Sequence, residues 1–110
     1  MTCDKRARIR ALNDQLRTLR TGGTIMITAG VKARGGGFVE EALDQVSAFS
    51  TFTPANDPHE EHDFGLVTVR DEAVFWKIDY YDEGLSHAAE DPSDSDSCHR
   101  VMTIMLAEEY

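Results

Sequence analysis

Apolar residues recur at helical spacing near the start of the chain. No Gly or Pro occurs between Asp4 and Leu19, so the pattern predicts a first helix over this range. The sequence TGG at residues 21–23 is expected to end it. The apolar positions of this helix are Ile9, Leu12, Leu16 and Leu19, and a second stripe beside them consists of Arg6, Arg10, Asn13, Arg17 and Arg20.

A buried strand and a second helix are predicted next. Residues 24–31, TIMITAGV, contain a continuous apolar run that is typical of a strand buried on both faces. The sequence KARGGG at residues 32–37 interrupts the chain. From Phe38 to Phe49, apolar and acidic residues separate onto opposite sides of a helical wheel, which predicts a helix with its apolar side on the core.

A loop and a β-hairpin follow. Residues 50–63 contain two prolines and no periodicity, which indicates a loop. Residues 64–69, FGLVTV, and residues 73–81, AVFWKIDYY, have high β-propensity and are separated by RDE, which predicts a hairpin. The second strand is expected to place Val74, Trp76, Ile78 and Tyr80 on one face and Phe75, Lys77, Asp79 and Tyr81 on the other.

The register of this hairpin depends on its turn. With a tight turn at residues 71–72, Asp63 is expected opposite Tyr80 and Phe64 opposite Asp79. A turn one or two residues longer is also compatible with the sequence, because RDEA lacks the Asn-Gly or Asp-Gly that would determine it. Each of these registers brings the segment HEEHDFG beside KIDYYD.

The end of the sequence suggests a last helix. Residues 82–97 form a second polar loop, and Asp94 to Ser97 offer several candidate N-caps for a helix from His99 to Glu108. The resulting order is α-β-α-β-β-α. It predicts a single α+β domain over residues 1–110, with a small three-stranded, mostly antiparallel sheet covered by helices.

Composition adds a charge asymmetry to this picture. The net charge is −9, but residues 1–34 hold eight Lys or Arg against two Asp or Glu, and residues 35–110 hold three against eighteen. Pairing of the basic segment with the acidic remainder inside one fold is the favoured interpretation, and separate partners for each segment are the alternative. No apolar run is long enough to cross a membrane, so a soluble, cytoplasmic protein is expected. Cys3 and Cys98 are interpreted as free thiols, since they lack a CxxC spacing.

The two converging polar segments carry the candidate chemistry. His59, His62, Asp63 and Asp79 are candidate ligands of a divalent metal ion, because two histidines and a carboxylate form a known metal-binding face. In a metal-free alternative His62 acts as a base oriented by Asp63 or Asp79, and Lys77 stabilises negative charge. Solvated loop charges are the simpler interpretation of all of them. Neither a P-loop nor a dinucleotide fingerprint is present.

Binding to another macromolecule is the other possibility for the same region. Tyr80 and Tyr81 point to opposite faces of their strand, so one of them is expected to be exposed and to form a binding hot spot with Asp79 or Asp82. The arginine stripe of the first helix could track phosphates, but the remaining acidic chain would repel nucleic acid, so direct nucleic-acid binding is disfavoured. The predicted binding residues are Asn56, Asp57, Tyr80, Tyr81, Asp82, Arg6, Arg10 and Arg17.

Five segments resemble a family of short bacterial proteins with a domain of unknown function, often carried on plasmids or other mobile elements. They are RIRALND, TAGV, NDPHEEHDFG, FWKIDYYD and RVMTIMLAEEY. The resemblance implies no activity. Its association with mobile elements suggests an accessory or counter-defence protein that binds a protein partner, for example as a nucleic-acid mimic of the anti-CRISPR or anti-restriction type. The alternative is a metal-assisted hydrolase or nuclease-like enzyme that uses the HxxHD and KIDYYD residues.

Overall fold

The computed structural model describes residues 5–85 and 87–110 as helices packed on a four-stranded sheet. The strand order is β1-β4-β3-β2, with β1 parallel to β4 and the other neighbours antiparallel. The fold is therefore α+β, as predicted, but its sheet is mixed. The elements are α1 (Lys5–Leu19), β1 (Thr24–Ile27), α2 (Ala29–Ala33), α3 (Gly36–Ala48), β2 (Phe64–Val69), β3 (Glu72–Tyr81), β4 (His99–Leu106) and a final 3₁₀ turn (Ala107–Glu109).

The predicted last helix is wrong, because His99–Leu106 forms the inner strand β4. This strand lies between β1 and β3 and is buried along most of its length, so its apolar residues do not alternate with polar ones. A continuous apolar run of this length does not distinguish a buried strand from a buried helix. The same error explains why three antiparallel strands were expected, since β4 supplies the fourth strand and pairs in parallel with β1.

The helical half of the chain differs from its prediction mainly at element boundaries. The first strand ends at Ile27, and the residues that follow form the short helix α2 instead of continuing the strand. Helix α3 begins at Gly36, two residues before the predicted start, and ends at Ala48. Helix α1 covers the predicted range from Lys5 onward, and Asp4 lies outside the described residues.

The β2–β3 hairpin is confirmed, but its register is two residues from the one expected. Arg70 and Asp71 form a two-residue turn with φ values of 48° and 69°, as in a type I′ turn. Phe64 consequently faces Lys77, and not Asp79. Because side chains alternate along a strand, a shift of two residues leaves every side chain on its predicted face.

The helices cover only one face of the sheet. Leu16, Phe38 and Val46 from the helices join Trp76 and Ile104 from the strands in one buried cluster. On the other face, Phe64 and Phe75 pack against Tyr110, with ring centroids 6.0 and 5.1 Å from it. No α-helix of the described residues covers this second face, and Tyr110 keeps 73% of its surface exposed.

Ion pairs join the basic N-terminal segment to the acidic remainder, so part of the charge asymmetry is paired inside the fold. Lys5 pairs with Asp91, Arg20 with Asp44, and Arg34 with Glu72. The Arg34 guanidinium lowers the pKa of the Glu72 carboxyl through hydrogen bonds of 2.8 Å.

Two further expectations concern cysteine and membranes. Cys98 is a free, buried thiol, and Cys3 lies outside the described residues. Across residues 5–85 and 87–110, no helix has both the length and the apolar character that crossing a membrane requires.

Candidate functional site

His62 is held between two carboxylates and an aromatic ring. Its Nδ1 lies 2.9 Å from Asp14 Oδ1 on α1, and its Nε2 lies 3.7 Å from Asp57 Oδ2. The imidazole stacks on the Phe52 ring, with centroids 3.7 Å apart and planes inclined by 2°. A pocket of about 370 Å³ adjoins this group and is lined by Phe52, Asp57, His62 and Arg10 among others. The expected orientation of His62 by Asp63 or Asp79 is therefore wrong, because Asp14 is the carboxylate that lies against its Nδ1.

Asp57 determines how the chain folds around this histidine. The carboxylate is 5% exposed, and its Oδ1 accepts the backbone N–H groups of Glu61 and His62 at 3.0 and 3.1 Å. Glu60 and His62 have φ values of 57° and 56°, so the loop reverses direction at each of them. Arg10 on α1 donates to the Glu60 carbonyl at 2.9 Å and fixes the loop against the helix.

A buried polar network lies beneath the loop. Asn13 is fully buried, and its Nδ2 donates to the Glu61 carbonyl and to the Tyr80 hydroxyl at 2.9 and 2.8 Å. Its Oδ1 accepts from Arg100 Nε at 2.7 Å. The Tyr80 hydroxyl in turn donates to Glu61 Oε1 at 2.8 Å. Burial raises the pKa of Tyr80, so this hydroxyl keeps its proton and remains a donor.

Arg100 occupies the centre of this network as a buried cation. Burial lowers its pKa, although its guanidinium lies over the Tyr80 ring, with Cζ 5.2 Å from the centroid. It also donates to the Pro92 carbonyl and to Cys98 Sγ, so it links the second polar loop to α1. The residues around Tyr80 thus satisfy one another and hold three segments of chain together.

The predicted metal ligands are not brought together. Asp79 lies on the sheet face away from the helices and pairs with Lys77 at 3.1 Å, whereas His62 contacts α1 on the helical side. His59 is exposed, and Asp63 is half-buried with a pKa raised by burial and by the neighbouring Glu61. Among the residues that the structure describes, no group of three or more His, Cys, Asp or Glu side chains is placed to hold a metal ion.

The predicted binding residues of the two loops have mainly structural contacts. Asn56 Oδ1 accepts the Thr53 N–H at 2.9 Å, and its Nδ2 donates to the Thr51 carbonyl at 3.0 Å. Asp82 Oδ1 accepts the His87 N–H at 3.3 Å, and Tyr81 lies half-buried on the open sheet face.

The predicted arginine stripe is also committed to internal contacts, apart from Arg6, which is exposed. Arg17 is 5% exposed and unavailable to a partner. It donates to the carbonyls of Val46, Ser47 and Phe49, at the C-terminal end of α3.

The free edge of β2 is a second candidate surface, which the sequence did not indicate. The Ile78 N–H donates to the Asp63 carbonyl at 2.8 Å, so the odd-numbered residues of this strand direct their backbone groups toward β3. Phe64, Leu66 and Thr68 therefore direct theirs outward. A groove of about 560 Å³ runs along this edge and is lined by Gln45, Ala48, Phe49, Asn56, Leu66 and Val67, among others.

Comparison with known proteins places the chain in a family. The model of a family described as protein of unknown function (DUF3768) matches residues 27–109. The chain belongs to the DUF3768 family. Neither a curated protein nor a solved structure matches it. The matched residues contain β2, β3, β4 and the loop with Asp57 and His62, whereas α1 precedes them.

Three residues of the His62 region in this DUF3768 protein were missed by sequence reasoning. Asn13 is four residues after Ile9 and three before Leu16, so its position on the buried side of α1 could have been recognised from helical spacing. Asp14 and Arg100 gave no such signal. They meet the loop and α1 only through contacts between residues far apart in the chain.

Proposed function

We propose that this DUF3768 protein binds another protein by accepting an extended segment of it as an additional strand beside β2. The observation that carries the proposal is the outward-directed backbone of Phe64, Leu66 and Thr68. Within residues 5–85 and 87–110, the outward N–H and C=O groups of these three residues make no hydrogen bond to another backbone group. Strand addition of this kind pairs such groups with the backbone of a partner.

The β2 edge lacks the features that usually prevent strand pairing. Edge strands are commonly short, charged or interrupted by proline. Strand β2 has six residues, FGLVTV, without charge or proline, and Leu66 keeps 47% of its surface exposed. The opposite edge, β1, has only four residues. Because it is the longer of the two edges, β2 is the one that supports binding.

The adjoining groove can receive side chains of the added strand. Side chains of a strand alternate between the two faces of a sheet. Every second side chain of an added segment would enter the groove between β2 and the end of α3, where Ala48 and Phe49 provide apolar contacts and Gln45 and Asn56 provide polar ones. The others would lie beside Leu66 on the open face.

Charge favours a foreign partner over a second copy of this chain. Antiparallel pairing of two β2 strands around a twofold axis would place both α3 helices on the same face of the joined sheet. Self-pairing would bring two chains of net charge −9 together. A partner segment with Lys or Arg would instead be attracted.

An accessory or counter-defence protein that binds its partner by strand addition does not need to mimic nucleic acid. A mimic needs free carboxylates spaced along one surface. In this chain Glu41, Asp44 and Glu72 each bond to an arginine. Strand addition makes no such demand, and it is the form of partner binding that the backbone geometry supports.

The test is selection of peptides from a random library displayed on phage, followed by affinity measurement with edge variants. Leu66→Pro removes an outward N–H without removing a bond to β3, and Leu66→Ala keeps that N–H as the matched control. Selected peptides should bind the proline variant at least about tenfold more weakly than the alanine variant, since a hydrogen bond is lost and the ring obstructs pairing. Circular dichroism should show both variants folded.

Two results would contradict strand addition. One is that no peptide is enriched on the wild-type protein. The other is that folded Leu66→Pro and Leu66→Ala bind the selected peptides equally well, which would place the binding surface elsewhere.

A further inference from the structure

One buried donor near the β2 edge has no partner. Trp76 is fully buried, and its indole N–H makes no hydrogen bond within the part of the chain that the structure describes. Buried tryptophan N–H groups normally find an acceptor, because leaving one unpaired costs free energy. The aromatic neighbours of the ring, Phe49 and Phe52, offer it no hydrogen-bonding oxygen from their side chains.

The position of this N–H relates it to the strand edge. A Cβ added to Gly65 would lie 2.5 Å from Trp76 Nε1, so the indole extends from β3 over the glycine of β2. Gly65 is buried under the indole, and it places no side chain between Nε1 and the free edge of β2. The Trp76 N–H thus lies over β2, and an added strand would run directly beside β2.

We propose that the Trp76 N–H selects partners that carry an acceptor side chain, Asn or Asp, at the position opposite Gly65. This inference rests on the strand addition proposed above. Residues directly opposite each other in neighbouring strands have their side chains on the same face, with Cβ atoms about 5 Å apart. Because Gly65 has no side chain, a carboxamide or carboxylate oxygen of the partner can reach over it to Nε1.

The chemistry favours a short acceptor over an apolar side chain of similar size. Leucine opposite Gly65 would keep the N–H unpaired, whereas asparagine or aspartate would satisfy it. Sites that hydrogen-bond a ligand group reject analogues that lack this group, because their own polar group is then left buried and unpaired. Partners of this protein therefore carry Asn or Asp at the position opposite Gly65, which pairing as a strand does not by itself require.

The first test compares peptides selected from the random phage library on the wild-type protein and on Trp76→Phe. Wild-type selections should be enriched in Asn and Asp at a single position, and the phenylalanine variant should lose this preference. For a wild-type-selected peptide, replacing that residue by Leu should weaken binding about tenfold to the wild type and by less than about twofold to the variant.

A second measurement decides the matter if Trp76→Phe does not fold. The chain has a single tryptophan, so the wild-type protein gives one indole N–H resonance. Adding a selected Asn peptide should move this proton downfield and slow its exchange, and the Leu version should not. Equal shifts with both peptides, or no preferred acceptor position in either selection, would overturn the role of Trp76 while leaving strand addition intact. Failure to enrich any peptide would refute strand addition itself.

Discussion

Replacing Arg17 by methionine should destabilise the protein strongly, because this arginine closes the C-terminal end of α3. Its NH1 donates to the carbonyls of Val46, Ser47 and Phe49 at 3.0, 3.2 and 2.7 Å. Its NH2 bonds to Asp14 at 3.0 Å. The last carbonyls of a helix lack helical partners, and here a buried cation bonds to them, although the Val46 carbonyl also accepts the Phe49 N–H at 3.3 Å.

The size of the destabilisation by Arg17→Met depends on how many carbonyl acceptors lose their donor. A hydrogen bond to a charged group contributes about 1.5–3 kcal/mol. The Val46 carbonyl is buried, whereas the bonds to Ser47 and Phe49 are partly accessible, so water can replace part of what they lose. Replacing the buried cation also removes the free-energy cost of desolvating it, which offsets a further part of the destabilisation. We expect Arg17→Met to lower the free energy of unfolding by about 3 kcal/mol, which is a large share of the roughly 5–15 kcal/mol typical of a domain.

Urea unfolding followed by the fluorescence of the single tryptophan measures this change. With an m-value of about 1.5 kcal/mol/M, the midpoint should fall by about 2 M. Arg6→Met is the matched control, because Arg6 is exposed on the same helix, and it should change stability by less than about 0.5 kcal/mol. Equal midpoints for the two variants would refute the capping role of Arg17.

Three further substitutions test other parts of the structure. Gly65→Ala should cost about 1–3 kcal/mol and alter tryptophan fluorescence, because the new Cβ would lie 2.5 Å from Trp76 Nε1; unchanged urea unfolding would contradict that contact. Asp71→Gly should stabilise the hairpin by about 0.5 kcal/mol in thermal unfolding, since Asp71 has a φ of 69°, and a loss of stability would argue against the type I′ turn. Burial and Glu61 raise the pKa of Asp63 above its ordinary 3.8, so the folded state binds this proton more tightly and stability falls as pH rises through that pKa. Asp63→Asn should therefore be more stable than the wild type at pH 7 in urea unfolding, with a difference that disappears below about pH 4; a constant difference would show that Asp63 has an ordinary pKa.

Local patterns in the sequence were sufficient to locate α1 and the β2–β3 hairpin, but not to determine the register of the hairpin. Both are formed by residues close together in the chain, and their apolar spacing has a distinct period of 3.6 or 2. The faces of β3 were also predicted correctly, with Val74 and Trp76 in the core. The turn was expected at residues 71–72 and lies at Arg70 and Asp71, because Arg is not a usual residue for a positive φ value in a hairpin turn.

The rest of the structure depends on contacts that no local pattern carries. Strand β4 becomes recognisable only once its neighbours β1 and β3 are known. Likewise, the carboxylate beside His62 is that of Asp14 on α1, which lies far along the chain from the two polar segments that were expected to converge. Strand β2 is recognised as an edge because, among the described residues, it has a neighbouring strand on one side only. This becomes visible only from the strand order of the sheet.

The inner position of β4 has a consequence for how the chain acquires its structure during synthesis. The β2–β3 hairpin can form as soon as its residues emerge from the ribosome. Among the described residues, however, the strand that pairs with β1 is β4, so Thr24 cannot pair before Val101 is made. Contacts between residues so far apart form slowly, since the intervening chain must first be ordered. We therefore expect β1 to remain undocked until β4 is made, and the sheet to be completed in a late step.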